Sequence, residues 1–208
     1  MKRLISSFLI TGLLTLALVA KADDPNGKDI FQKQKDMDKG YHDDSSTGKM
    51  AIVSSSGQQT IREFTYSSLE ETGSEGQKSM IKITAPSDMA GIGLLSYQNI
   101  GREDDQWLYM PAMKKTKRIS GSSQSGNFLG SDITYEDLSP WAIDDYDFKF
   151  VKSEACGDAT CSVVEMTPKK ESQYSKNVAW VRMDNYRTTK MDLFDKKGNH
   201  FKTVLFEN

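Results

Sequence analysis

Short runs of alternating apolar and polar residues dominate the chain, and a period of two marks strands with one dry and one wet face. In 79–85, Ile81 and Ile83 share a face with Ala85 while Lys82 points the other way. In 146–151, Tyr146, Phe148 and Phe150 line one face against Asp147 and Lys149. Met191 and Leu193 oppose Lys190 and Asp192, and Gly198 marks the last turn. The pattern predicts strands over 49–55, 60–69, 79–85, 92–98, 106–110 and 116–120. It predicts them again over 146–154, 162–167, 177–184, 188–195 and 201–206. One amphipathic helix is predicted over 29–39, with Ile30, Phe31 and Met37 as its apolar marks. Close-spaced strands bounded by Gly, Ser, Asn and Asp argue for an antiparallel sandwich or barrel, not for βαβ units.

Two stretches fall outside this alternation. Residues 121–141 begin rich in Ser and Gly, end at Pro140-Trp141, and carry Phe128, Leu129 and Tyr135 between. Such a segment suits a displaceable cover over an apolar barrel mouth, with 121–126 expected to be mobile; it also suits an ordinary surface loop that docks a few aromatics. At the other extreme, Lys2 and Arg3 precede an apolar run from Leu4 to Val19 and the tripeptide Ala20-Lys21-Ala22. That is the form of a cleaved secretory leader, and the run is shorter than the roughly 20 residues that span a bilayer. The expectation is a leader over 1–22 and one exported domain over 23–208, in the periplasm.

Export changes the reading of the two cysteines. Cys156 and Cys161 enclose Gly157-Asp158-Ala159-Thr160, a turn between two strand-like runs. In an oxidising compartment the pair is expected to close a hairpin as a disulfide. A redox-active pair favours C-x-x-C at a helix start, and the spacing here is wider.

Composition removes several classes of function. Of 208 residues, 27 are Lys or Arg and 29 Asp or Glu, for a net charge of -2. A nucleic-acid binder needs a basic surplus. Two His and two Cys offer little for a metal centre, and no cofactor or metal is expected. The sequence has no G-x-S-x-G elbow, and the glycine-rich run 121–126 leads into Asn127-Phe128 where a phosphate loop needs Lys-Ser/Thr. No catalytic residue is proposed. Lys114, Lys115, Lys117 and Arg118 form a basic cluster that fits anionic head groups or an acidic transporter surface. It equally fits the guarding of an edge strand.

Three blocks resemble a known family. They are Ile83-Thr84-Ala85-Pro86-Ser87-Asp88-Met89-Ala90-Gly91, then Trp107-Leu108-Tyr109-Met110-Pro111-Ala112, and the long ordered block from Phe128-Leu129-Gly130-Ser131-Asp132 to Leu138. Together they resemble the outer-membrane lipoprotein-sorting-protein-like family from about Phe64 onward. Its members are similar in fold to the periplasmic lipoprotein carrier LolA and the receptor LolB. The resemblance implies a mainly β protein with a few helices, a half-open antiparallel β-barrel under a helical or loop lid. It implies a carrier or chaperone for lipid-like or lipoprotein acyl cargo, serving outer-membrane lipoprotein sorting or envelope lipid export. An inner-membrane transporter of the resistance-nodulation-division type and transient membrane contact are the implied partners. The cavity and lid residues are then expected to be Ile81, Ile83, Trp107, Tyr109, Phe128, Leu129, Tyr135, Trp141, Tyr146, Phe148 and Phe150. Two other readings stand beside it: an envelope assembly subunit with a self-filled barrel, and a lipid hydrolase.

The leader and the disulfide share one test. Intact mass of the exported protein is expected to place the amino terminus at Asp23 and to show no free thiol. Replacing both Cys156 and Cys161 by Ser should cost about 2 kcal/mol for so short a loop, without loss of the fold.

Overall fold

A computed structural model describes residues 26–72, 76–99 and 102–206. The expected leader and its cleavage point at Asp23 lie outside the described residues. One helix, α1 (Gly27–Met37), precedes eleven strands that run in chain order: β1 (Asp43–Val53), β2 (Gln59–Leu69), β3 (Lys78–Ala85), β4 (Gly93–Tyr97), β5 (Asp105–Met110), β6 (Lys115–Ile119), β7 (Tyr146–Cys156), β8 (Ala159–Pro168), β9 (Tyr174–Arg182), β10 (Thr188–Asp195) and β11 (His200–Leu205). They form two antiparallel meanders, a six-stranded sheet β1–β6 and a five-stranded sheet in the order β11 to β7. Neither sheet closes on itself, which is the half-open arrangement that the resemblance implies. No helix among the described residues is long and apolar enough to cross a membrane.

The strand pattern is legible where buried and more open positions alternate, as in β3 and β7. The first strand is the exception, starting at Asp43 instead of 49. Asp43-Asp44-Ser45-Ser46-Thr47 has no alternation to read, yet it pairs in full with β2, from Asp43 opposite Leu69 to Val53 opposite Gln59. Cys156 and Cys161 are joined, with Cα atoms 5.8 Å apart, at the β7–β8 turn.

Each sheet buries its inner face under its own cover, so the dry face expected to be shared by Ile81, Ile83, Tyr146, Phe148 and Phe150 is in fact two. The five-stranded sheet places Val164, Met166, Ala179 and Val181 under Ile30 and Phe31 of α1, with Tyr146, Phe148 and Phe150 packed alongside. Phe31 is only 1% exposed, and its ring lies 5.1 Å from that of Phe148 and 5.6 Å from that of Trp141. The six-stranded sheet places Ile81, Ile83, Leu94, Leu108 and Ile119 under Phe128 of the β6–β7 connection. Within that connection the backbone makes short 3-10 turns at Gly121–Ser123, Phe128–Gly130, Glu136–Leu138 and Ile143–Asp145, not longer helices.

Helix α1 starts at Asn26, whose side chain accepts from Lys28 N at 3.0 Å. Asp29 in its first turn and Lys35 in its last complement the helix dipole. Lys35 also reaches Glu71 just past β2 at 2.9 Å, tying the helix on one sheet to the end of the other. The helix docks closely because Gly27 has no side chain: a Cβ there would stand 2.9 Å from Val164 Cγ1 and 3.2 Å from the Phe150 backbone N. Gly27→Ala is therefore expected to lower stability in urea unfolding by about 1–3 kcal/mol through overpacking, although alanine is the better helix former. An unchanged midpoint would mean that the helix end is not pressed on the sheet.

Candidate functional site

The strand register sorts the inner face of the six-stranded sheet into rows. Tyr66, Ile81, Leu94 and Leu108 stand side by side across four strands. Phe64 and Ile83 form the next row, and Arg62 and Met50 lie beyond it on β2 and β1. On the other flank runs a buried polar row, Ser68, Ser79, Ser96 and Gln106. Gln106 donates to Ser96 Oγ at 3.1 Å and to the Tyr135 carbonyl at 2.9 Å, while its own Oε1 has no partner. The concave face is thus apolar at its middle and polar along one side.

The β6–β7 connection covers only part of this face. Phe128, 1% exposed, sits over the β3–β6 part of it, with Leu129, Tyr135 and Leu138 packed around. Leu129 takes a left-handed backbone (φ 51°), a conformation costing a branched residue about 1–2 kcal/mol. The rest of the face, toward β1 and β2, stays open as a groove of about 390 Å³. Met50, Phe64, Tyr66 and Ile81 form its floor, and Ile133, Leu138 and Pro140 its edge. Its volume lies within the range of roughly 300–1,000 Å³ usual for ligand sites. Gly48 makes room for one floor residue: a Cβ there would fall 2.5 Å from Phe64 Cζ, so the aromatic ring lies across the β1 backbone. A second cleft of about 240 Å³ opens between α1 and the end of β2. Phe31, Trp141 and Ile143 reach it, but the Lys35–Glu71 ion pair, Gln77 and Gln98 give it polar walls.

A polar knot holds the cover in place. Asp137 accepts from the Thr134 backbone N at 2.7 Å, from the Thr134 hydroxyl at 2.8 Å and from the Tyr174 hydroxyl at 2.8 Å. Lys202 of β11 donates to the same carboxylate, and both side chains are largely buried. Burial and the neighbouring Asp137 push the Tyr174 phenol up, so it stays protonated and donates. Gln173 adds two bonds, from its side chain to Thr134 Oγ1 at 2.7 Å and from its backbone N to Glu136 at 2.9 Å. The segment is thereby bonded to the five-stranded sheet while it packs on the six-stranded one. At the base of β5, Arg118, Arg102 and Asn99 surround Asp105 and hold its carboxyl down at about 2, the Arg118 bond being the largest cause.

The expected site residues therefore fall into three groups. Ile81, Ile83, Phe128, Leu129 and Tyr135 meet on the six-stranded sheet. Tyr146, Phe148 and Phe150 meet under α1, and Trp141 stands beside them, its ring 5.8 Å from that of Tyr146. Trp107 and Tyr109 join neither group. Strand alternation puts Leu108 inward and both of them on the outer face, where Trp107 meets Tyr97 edge-on at 5.3 Å and Tyr109 is 41% exposed. The stretch 121–126, expected to be loose, folds back on the cover: Tyr135 N donates to Gly126 O at 3.1 Å and Glu136 N to Gln124 O at 2.9 Å. Sequence reasoning missed the groove floor from β1 and β2. It also missed Asp137, Tyr174 and Lys202, which only long-range pairing joins. The alternation of Phe64 and Tyr66 in β2 was a usable signal for the floor.

Comparison with known proteins agrees with this architecture. A model of a family of uncharacterized proteins matches residues 75–208. A crystal structure from Vibrio parahaemolyticus, described as an outer membrane lipoprotein-sorting protein domain, is 36% identical over 88% of this chain and 77% of its own, with a TM-score of 0.83. The chain belongs to the outer-membrane lipoprotein-sorting-protein-like family. A DUF1329 family protein from Desulfovibrio piger is 32% identical to this family member over 88% of this chain and 78% of its own, with a TM-score of 0.82. A LolA superfamily protein from Nitrosomonas europaea, 24% identical over 88% and 78%, shares the fold at a TM-score of 0.65. No curated protein matches the chain.

Asp137→Ala is expected to leave Lys202 and Tyr174 without their partner and to cost about 3–5 kcal/mol in denaturant unfolding. Replacing the pair together, Asp137→Leu with Lys202→Met, should restore much of that loss. Equal losses in the single and double variants would show that the knot is not what holds the cover.

Proposed function

We propose that this protein is a periplasmic carrier or chaperone that holds an acyl chain in the groove between β1–β3 and the β6–β7 connection. The carrying observation is the uncovered apolar floor, Met50, Phe64, Tyr66 and Ile81, beside a cover that stops at Ile133 and Leu138. Burial is worth about 0.8 kcal/mol per methylene, so ~10 methylenes gain roughly 8 kcal/mol before ordering costs. That offsets what the same methylenes lose on leaving a membrane, so the chain can pass to the groove and still be released. The work is non-covalent, in keeping with a carrier rather than an enzyme. Similarity to a lipoprotein-sorting domain supports acyl cargo, in sorting or in envelope lipid export. A transporter of the resistance-nodulation-division type as partner extends the same reading.

Phe31 and Phe128, each 1% exposed, favour one other reading, an assembly subunit whose sheets are filled by its own covers. Native mass spectrometry of protein purified from its periplasm, with lipid identification, separates the two. A carrier is expected to retain lipid, and Ile133→Asp at the groove edge should abolish retention while leaving the melting temperature nearly unchanged. Phe128→Ala should instead cost about 3–5 kcal/mol, as large core truncations do. Protein that carries no lipid and binds no hydrophobic dye would favour the filled subunit.

A further inference from the structure

Open sheets end in edge strands, and each edge presents unpaired backbone groups to any strand that can reach it. The two sheets here have four edges, β1, β6, β7 and β11, and three of them are guarded. Strand β6 is five residues long and carries Lys115, Lys117 and Arg118. Strand β7 is bulged between Phe150 and Lys152, with Asp147, Lys149 and Lys152 along it. The ladder that holds β11 is bulged between Leu193 and Phe194. Strand β1 has none of these guards. It pairs with β2 over all eleven residues without a bulge, and it contains no proline. Beyond Asp43 and Asp44 its only charge is Lys49, which Glu63 holds at 2.8 Å.

The β1–β2 ladder fixes which backbone groups of β1 are free. At its two ends Glu70 N donates to His42 O at 2.9 Å and Ser54 N to Gln58 O at 2.8 Å. Even-numbered residues of β1 therefore bond to β2, and the N–H and C=O of Thr47, Lys49, Ala51 and Val53 point away from it. Side chains alternate as well: Met50 and Ile52 take the concave face, Ala51 and Val53 the outer one. Strand β3 meets β2 only from Glu63 onward, so the end of this hairpin projects past its neighbour. On that end Val53 is 62% exposed and Ile61 51%.

The free edge is self-complementary about a two-fold axis at Ala51. An antiparallel second copy sets Ala51 against Ala51, Lys49 against Val53 and Met50 against Ile52. Outward-bonding residues then face each other, each side chain keeps its own face of the sheet, and no like charges meet. We propose that two copies of this protein pair in this register through β1, forming one continuous sheet in which the two groove floors become neighbours. Met50 of each floor gains Ile52 of the partner copy beside it. Pairing uses up the unguarded edge of both copies, so assembly closes at two. The contact is short, which makes the dimer weak and reversible. On the carrier reading the joined floors lengthen the acyl site, but the pairing itself does not rest on that reading.

Sedimentation equilibrium of the exported protein, at concentrations up to about 200 μM, is expected to show a reversible monomer–dimer equilibrium. Ala51→Pro removes one outward N–H and spares the bonds to β2. Val53→Lys sets a like charge against Lys49 on both sides of the axis. Each should raise the dissociation constant at least tenfold, with the circular dichroism of the monomer unchanged. Val53→Glu should instead lower it, a response of opposite sign that a merely loosened hairpin would not give. If Ala51→Pro does not fold, the two Val53 variants decide alone, since that side chain is exposed. A protein that stays monomeric over the whole range overturns the proposal. So does a dimer indifferent to the charge at position 53, or an assembly that grows beyond two.

Discussion

Two antiparallel sheets that never close leave two apolar concave faces to be kept from water, and the rest of the structure answers that requirement. A closed barrel would satisfy its edges and fill its interior with its own side chains. Here each face needs an outside cover, and the two covers differ. Helix α1 seals the five-stranded sheet through Ile30 and Phe31. The β6–β7 connection seals part of the six-stranded sheet through Phe128. What the second cover leaves bare, between β1 and β3, is the groove.

The covers are fixed by polar contacts that cross between the sheets. Asp137, Tyr174 and Lys202 tie the connection to β9 and β11, and Gln106 ties it to β5 through the Tyr135 carbonyl. Lys35 and Glu71 tie α1 to the end of β2. Such bonds are directional, whereas apolar contact alone would let a short turn-rich segment slide along the sheet. Phe128 thus anchors the cover as a core residue. Ile133 and Leu138, at the groove's edge, are where a cargo chain would meet it. On the carrier reading, cargo would displace the cover only at that edge, a narrower region than the whole of 121–141.

On the carrier reading, the apolar floor beside a neutral polar flank is what suits the groove to an acyl chain. A carrier has to gain enough from burial to extract its cargo and little enough to give it up. A half-covered groove serves that balance better than a sealed cavity, because the cargo is never wholly enclosed.

Alternation along the chain determined most of the secondary structure, since a strand with one wet face writes its period into its own residues. Ile81 and Ile83 point inward together, and so do Tyr146, Phe148 and Phe150. The disulfide was legible for a similar local reason: both cysteines flank one short turn. The family blocks conveyed the architecture but not the parity of each residue. Trp107 and Tyr109 lie on the outer face because Leu108 occupies the inward position, and only the pairing of β4, β5 and β6 decides which phase of an alternating strand faces in. The polar start of β1 and the Asp137 knot were likewise settled by the tertiary structure. Each depends on residues far apart in sequence, and contacts of that kind leave no period to read.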